Sequence, residues 1–222
     1  MACIDGEYYH IVNRGVDGKT VFASPNDFAR FKRCLLLFNT TELTQLREAS
    51  EDSFLEKLRL GEITRLVDIV AYCLLDNHFH LFVRQRIERG VEQFLRKLLS
   101  GYTRYFNLTR NRRGVLFQSR SKIAHVLQAT YFDHVSRYII LNSLDKVDKQ
   151  WREHGVKDIA KMRKELTAYL YSSFQGIVNK NLDPILSDDL IDEIIDRKNF
   201  LDDLLSWSSG DYQSAESILL EV

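Results

Sequence analysis

VDIVAYCLL (Val67–Leu75), the pair Asp76-Asn77 and HFHLFV (His78–Val83) form the stretch whose reading decides the fold. Both runs are apolar and rich in β-branched or aromatic residues, which suit a pleated, buried surface. Asp-Asn is a turn pair, so the runs read as adjacent strands or a hairpin. Towards the N-terminus, EYYHIVN (Glu7–Asn13) predicts another strand, ended by Arg14-Gly15 and a turn at Asp17-Gly18. Asn26–Phe38 follows the start signal Ser24-Pro25 and places Phe28, Phe31, Leu35 and Phe38 near one helical face. The acid-rich stretch Thr41–Arg65 carries Leu43, Leu46, Phe54, Leu55, Leu58 and Leu60, a pattern for one or two amphipathic helices. Towards the C-terminus, Val91–Phe106 is the clearest helix, apolar at spacings of three and four, and it ends in the basic loop Arg110–Gly114. Val115–Val126 reads as extended. Thr130–Asn142 reads as a helix opened by a capping-box-like Thr130 and Asp133, and the chain after Trp151 as helical with a break near Asn179–Pro184.

With 222 residues, 45% of them hydrophobic and only two prolines, the chain can bury a full core as one globular domain or one with an appendage. Cys3, Cys34 and Cys73 are odd in number and have no CxxC or Cys/His spacing, which argues against a disulfide framework and a structural zinc site and for a reducing cytoplasm. No apolar run approaches the roughly 20 residues of a membrane span. The opening MACIDGEYYH has acids where a signal peptide has lysines, so a soluble, cytoplasmic protein is expected. The formal net charge of zero hides a segregation. Arg96, Lys97, Arg104, Arg110, Arg112, Arg113, Arg120 and Lys122 occur in a span free of acids, while Asp183–Val222 holds eleven acids against Arg197 and Lys198. A basic middle of this kind is either a solvated helix face or the footprint of a nucleic-acid site.

His78 and His80 are two apart on a predicted strand, so both imidazoles leave one face of the sheet. Such a pair can offer two nitrogens to one divalent ion, although by itself it is as often a core or surface feature. Tyr138 and Asn142, four apart on a predicted helix, lie one turn from each other. A tyrosine hydroxyl, which ordinarily titrates near pH ~10, is a poor nucleophile unless a metal or base helps it. A helix crossing the face that bears His78 and His80 would supply Tyr138 as nucleophile and Asn142 as a third ligand. Taken alone, Tyr138 beside Ile139, Ile140 and Leu141 reads more readily as a core residue with a wetted hydroxyl, one of ten tyrosines in the chain.

Six ordered blocks extend this reading. YHIVNRG (Tyr9–Gly15), Asp27-Phe28 opening a helix, AYCLLDNHFHLFV (Ala71–Val83), YTRYFN (Tyr102–Asn107), GVLFQSR (Gly114–Arg120) and VSRYIILNS (Val135–Ser143) together resemble the REP-associated tyrosine transposases. These belong to the single-tyrosine HUH transposases, named for histidine, bulky hydrophobe, histidine. YLYSSFQGIV (Tyr169–Val178) resembles the same family's continuation. The resemblance implies an α/β (α+β) fold of the HUH endonuclease type, with an antiparallel central sheet flanked by helices, expected over residues 1–180; charge and helical pattern make 181–222 an acidic helical extension. It implies Tyr138 as the nucleophile and His78, His80 and Asn142 as the site of Mg²⁺ or Mn²⁺. The substrate it implies is single-stranded or hairpin DNA, cut through a 5′-phosphotyrosine and resealed by a 3′-hydroxyl, by a monomer or a homodimer. Arg14, Lys97, Arg104, Arg110, Arg112, Arg113, Arg120 and Lys122 are the expected DNA contacts, with Tyr102, Tyr105 or Phe106 stacking on bases wherever one is exposed.

The chain departs from the family pattern at Leu75-Asp76, where Met-Pro is common, at Ser143, where Pro is common, and at Ser121, where an aromatic often stands. None of these removes a catalytic group. Competing readings are an HUH relaxase or replication nickase, a non-catalytic domesticated hairpin-binding protein, and a phosphodiesterase acting through water with Tyr138 structural.

Overall fold

Four strands, β1 (Tyr8–Arg14), β2 (Val67–Leu75), β3 (His78–Gln85) and β4 (Lys122–Val126), join in one antiparallel sheet of order β2-β3-β1-β4 in the computed structural model, which describes residues 3–42, 49–148 and 150–207. Asp76-Asn77 closes the hairpin predicted for it, because Leu75 pairs with His78 and Leu74 with Phe79. β3 also pairs with β1, setting Val12 opposite His80 and Arg14 opposite His78. Directly opposed residues share a face. One face therefore carries His10, Val12, Cys73, His78, His80 and Phe82, and the other carries Tyr9, Ile11, Tyr72, Phe79 and Leu81.

The helices are α1 (Pro25–Leu37), α2 (Glu51–Arg59), α3 (Gly90–Thr109), α4 (Phe132–Leu141), α5 (Trp151–His154), α6 (Ile159–Ala168), α7 (Phe174–Val178), α8 (Asp188–Ile194) and α9 (Phe200–Trp207). α1 and α3 cover the second face, with the Phe31 ring 5.0 Å from both Phe79 and Tyr102. α4 covers the first face, with the Phe132 ring tilted 3.9 Å from Tyr8 and 5.8 Å from Phe82. Every residue of β2 is buried, as its unbroken apolar pattern requires of a strand covered on both sides. The outer edge of β2 is closed by a segment a hundred residues downstream. Leu74 N donates to Tyr171 O, Ser173 N donates to Tyr72 O, and Tyr72 N donates to Ser173 Oγ. Beyond residue 180, Ile185, Leu186, Ile191 and Leu204 are buried in the same core.

Three local expectations change. Val115–Val126 is extended as a strand only over Lys122–Val126; before it, Phe117 makes a single bridge to Gly15 while Gln118 N donates to Arg14 O. The helix expected from Thr130 starts at Phe132 behind a 3-10 turn, Ala129–Tyr131, and Asp133 pairs with Arg137 instead of forming a box with Thr130. The stretch 41–65 contains α2 among its described residues, whereas Leu43 and Leu46 lie outside them.

Candidate active site

The start of β3 and the end of α4 bring four expected residues together. His78, His80, Tyr138 and Asn142 line one cleft of about 470 Å³ with Arg14, Lys122, Gln118, Asp145 and Arg152. The rings of His78 and His80 stand 5.1 Å apart. The Tyr138 ring meets His80 edge-on at 6.0 Å, a consequence of α4 lying across the histidine face.

A third imidazole joins them from β1. The His10 ring is nearly parallel to that of His80, at 12°, with centroids 5.2 Å apart and its Nε2 3.0 Å from His80 Nδ1. It also meets the Tyr138 ring edge-on at 5.8 Å. On the other side of the pair, His78 Nδ1 lies 2.6 Å from Asn77 Oδ1. Burial pushes His10 down to about 4. Burial, with Arg14 adding to it, likewise pushes His78 down to about 4. Burial, and then the neighbouring His10 and His78, push His80 well below its usual range. At neutral pH all three rings are therefore uncharged, the state in which imidazole nitrogen has a lone pair for a metal.

His80 Nε2 is buried and has no hydrogen-bond partner among the described residues. An orphaned buried nitrogen is costly unless a further group satisfies it. Together with a neutral His78 in the same cleft, it makes the donor set fit a divalent ion. No group of three or more His, Cys, Asp or Glu that could hold a metal occurs among the described residues. The Asn142 amide is already engaged: Nδ2 donates to Tyr138 O at 2.7 Å, and Oδ1 accepts from Arg152 Nη2 at 2.8 Å. Arg152 also pairs with Asp145. An amide oxygen has two lone pairs, so this bond fixes the Asn142 head group while leaving one acceptor direction.

The expected DNA contacts divide into two groups. Arg14 and Lys122 line the cleft, and with Arg104, Arg113 and Arg120 they are exposed. Lys97, Arg110 and Arg112 instead serve the fold. The Lys97 ammonium donates to Thr40 O and Glu42 O. Arg110 donates to the buried Asp27 at 2.5 Å and lies 3.9 Å over the Phe106 ring. Arg112 joins Asn107 to Val115 across its own loop. Tyr102 and Phe106 are core residues, and Tyr105 is half-buried with its hydroxyl donating to Asp27, so the three form no open stacking surface.

Sequence spacing alone missed His10, Asp145 and Arg152. The signal for His10 was its even-numbered place in YYHIVN, which becomes informative only once β1 is paired with β3. Arg152 follows Asn142 by ten residues across a 3-10 turn, where no simple period connects them.

No family model matches the chain, and no curated protein matches it. Among solved structures it is similar to the REP-associated tyrosine transposase bound to a REP hairpin, at 14% identity over 82% of this chain and 85% of that one, with a TM-score of 0.46.

Proposed function

We propose that this protein is a metal-dependent tyrosine transposase that cuts and rejoins single-stranded DNA at or near hairpins. One observation carries the reading: Tyr138 and Asn142 converge in one cleft with His78 and His80, some sixty residues earlier in the chain, and the buried Nε2 of His80 is left for a ligand. Packing would not require this convergence of a hydroxyl with neutral imidazoles.

In the proposed reaction, Tyr138 Oη attacks a phosphodiester phosphorus and forms the P–Oη bond. The P–O3′ bond breaks, the phenolic proton is lost, and the departing 3′-oxygen takes up a proton. The 5′-phosphate stays on Tyr138, and a 3′-hydroxyl can later reverse the step and reseal a strand without a nucleotide cofactor. Mg²⁺ or Mn²⁺ held by His78, His80 and Asn142 would polarise the phosphate and offset the charge developing in the transition state. Arg14 and Lys122 draw the flanking phosphates into the cleft, and Arg120 and Arg113 extend the basic approach to it. The edge-on contact with His80 sets the Tyr138 ring, and the Arg152 bond sets the Asn142 amide.

The test is incubation with an end-labelled hairpin oligonucleotide and Mn²⁺, followed by denaturing electrophoresis. A covalent protein–DNA adduct is expected from the wild type and none from Tyr138→Phe. Adduct from Tyr138→Phe would move the nucleophile elsewhere. Binding without cleavage would favour a non-catalytic hairpin-binding protein, and free 5′-phosphate ends without adduct a water-using phosphodiesterase.

A further inference from the structure

We infer that His10 is a positioning residue: it holds His80 in the tautomer that turns a lone pair, not a proton, into the cleft. This rests on the reading of His80 as a metal ligand. The register sets His10 opposite Phe82 and His80 opposite Val12, which makes the two imidazoles diagonal neighbours on the face covered by α4. They are nearly parallel, and His10 Nε2 is 3.0 Å from His80 Nδ1. Both rings are buried, at 5% exposure each, so water cannot substitute freely for either partner.

Two neutral rings share one proton across that contact, and there are two ways to place it. If His80 Nδ1–H donates to His10 Nε2, His80 Nε2 bears a lone pair and can bind a cation. If His10 Nε2–H donates to His80 Nδ1, the remaining proton of His80 sits on Nε2, buried with no acceptor among the described residues. The first arrangement leaves a site that a cation completes; the second leaves a buried donor that nothing completes. His10 is thus the hydrogen-bond acceptor, protonated on Nδ1. Its edge-on contact with the Tyr138 ring gives it a second task, because the same imidazole backs both the proposed ligand and the proposed nucleophile. A change at His10 would therefore move the ligand and the nucleophile together.

Long-range ¹H–¹⁵N correlation spectra of the metal-free wild type read the tautomers directly, and the expected result is His80 protonated at Nδ1 and His10 unprotonated at Nε2. A His80 ring protonated at Nε2 overturns the inference. Mn²⁺ titration by calorimetry, without DNA, supplies the second arm. His10→Phe keeps a ring but removes the acceptor, and it should weaken Mn²⁺ binding roughly 10- to 100-fold, the range for loss of a partner that orients a ligand. His10→Gln, whose amide oxygen can accept from His80 Nδ1, should recover most of that loss. Equal affinity of His10→Phe and wild type, or equal weakening in both variants, refutes the positioning role. Failure of the ligand reading looks different: His80→Ala would then bind Mn²⁺ as tightly as the wild type.

Discussion

Two buried imidazoles, His10 and His80, and a half-buried one, His78, on one sheet face tie folding to pH. His10 and His78 titrate near 4 in the folded protein, against ~6.5 in an unfolded chain. Between those values the unfolded chain binds more protons, so the stability contribution is complete above about pH 6.5 and is lost as pH falls towards 4. Asp133, raised by burial, has the opposite sign but acts nearer the carboxylate range. Urea unfolding at pH 7.5 and pH 5 should show a lower midpoint at pH 5, and replacing both His10 and His78 by Gln should shrink that difference. Identical slopes in wild type and variant would mean that other groups control it. At this scale the sequence was legible where spacing is local, since His78 with His80, and Tyr138 with Asn142, are fixed by the strand and helix periods. His10 was not, because its partner lies seventy residues away and is chosen by strand register. Among the basic residues, type alone could not separate Arg14 and Lys122 in the cleft from Lys97, Arg110 and Arg112, whose partners are carbonyls and a buried carboxylate.

Among the elements, α1 depends most visibly on one side chain. Asp27 is fully buried; it accepts from Ala23 N at 2.9 Å and Ser24 N at 3.0 Å, and it receives Arg110 and the Tyr105 hydroxyl. It therefore starts α1 and clamps the end of α3 against it. Asp27→Ala would leave two backbone donors and a guanidinium without their acceptor, a loss of about 3 kcal/mol in chemical denaturation. Asp27→Asn, which keeps one oxygen, should lose less, and a neutral result for the alanine variant would contradict this role. The start signal Ser24-Pro25 made α1 readable, as Asp76-Asn77 did the hairpin and the apolar stripe did α3. The onset of α4 was not readable, because the carboxylate expected to cap it is drawn to Arg137 one turn away. The residues before β4 have a strand's composition but make only a single bridge, Phe117 to Gly15, with a few flanking backbone bonds to Arg14 and Val16.

Over the whole molecule, the charge segregation visible in the sequence is partly cancelled by folding. Arg137 pairs with Asp203, Arg163 with Asp202, Arg197 with Asp188 and Lys180 with Asp192, so these acids neutralise their own neighbourhood. The exposed Arg14 and Lys122 keep a basic lining in the cleft. The same C-terminal half also completes the sheet, through Tyr171–Ser173 on the β2 edge. Ser173→Pro fits the backbone, at φ −74°, but removes one N–H and the hydroxyl that together satisfy Tyr72. A loss of about 2–3 kcal/mol is expected, with aggregation in light scattering as the edge opens. A variant as stable and monodisperse as the wild type would show that the edge needs no such cover. Closure by so distant a segment also has a consequence in time. On a ribosome adding roughly 5–20 residues per second, the β2–β3 hairpin is made several seconds before Ser173 exists. Throughout that interval its apolar outer strand has no mate from its own chain, and a nascent-chain chaperone would be most useful then.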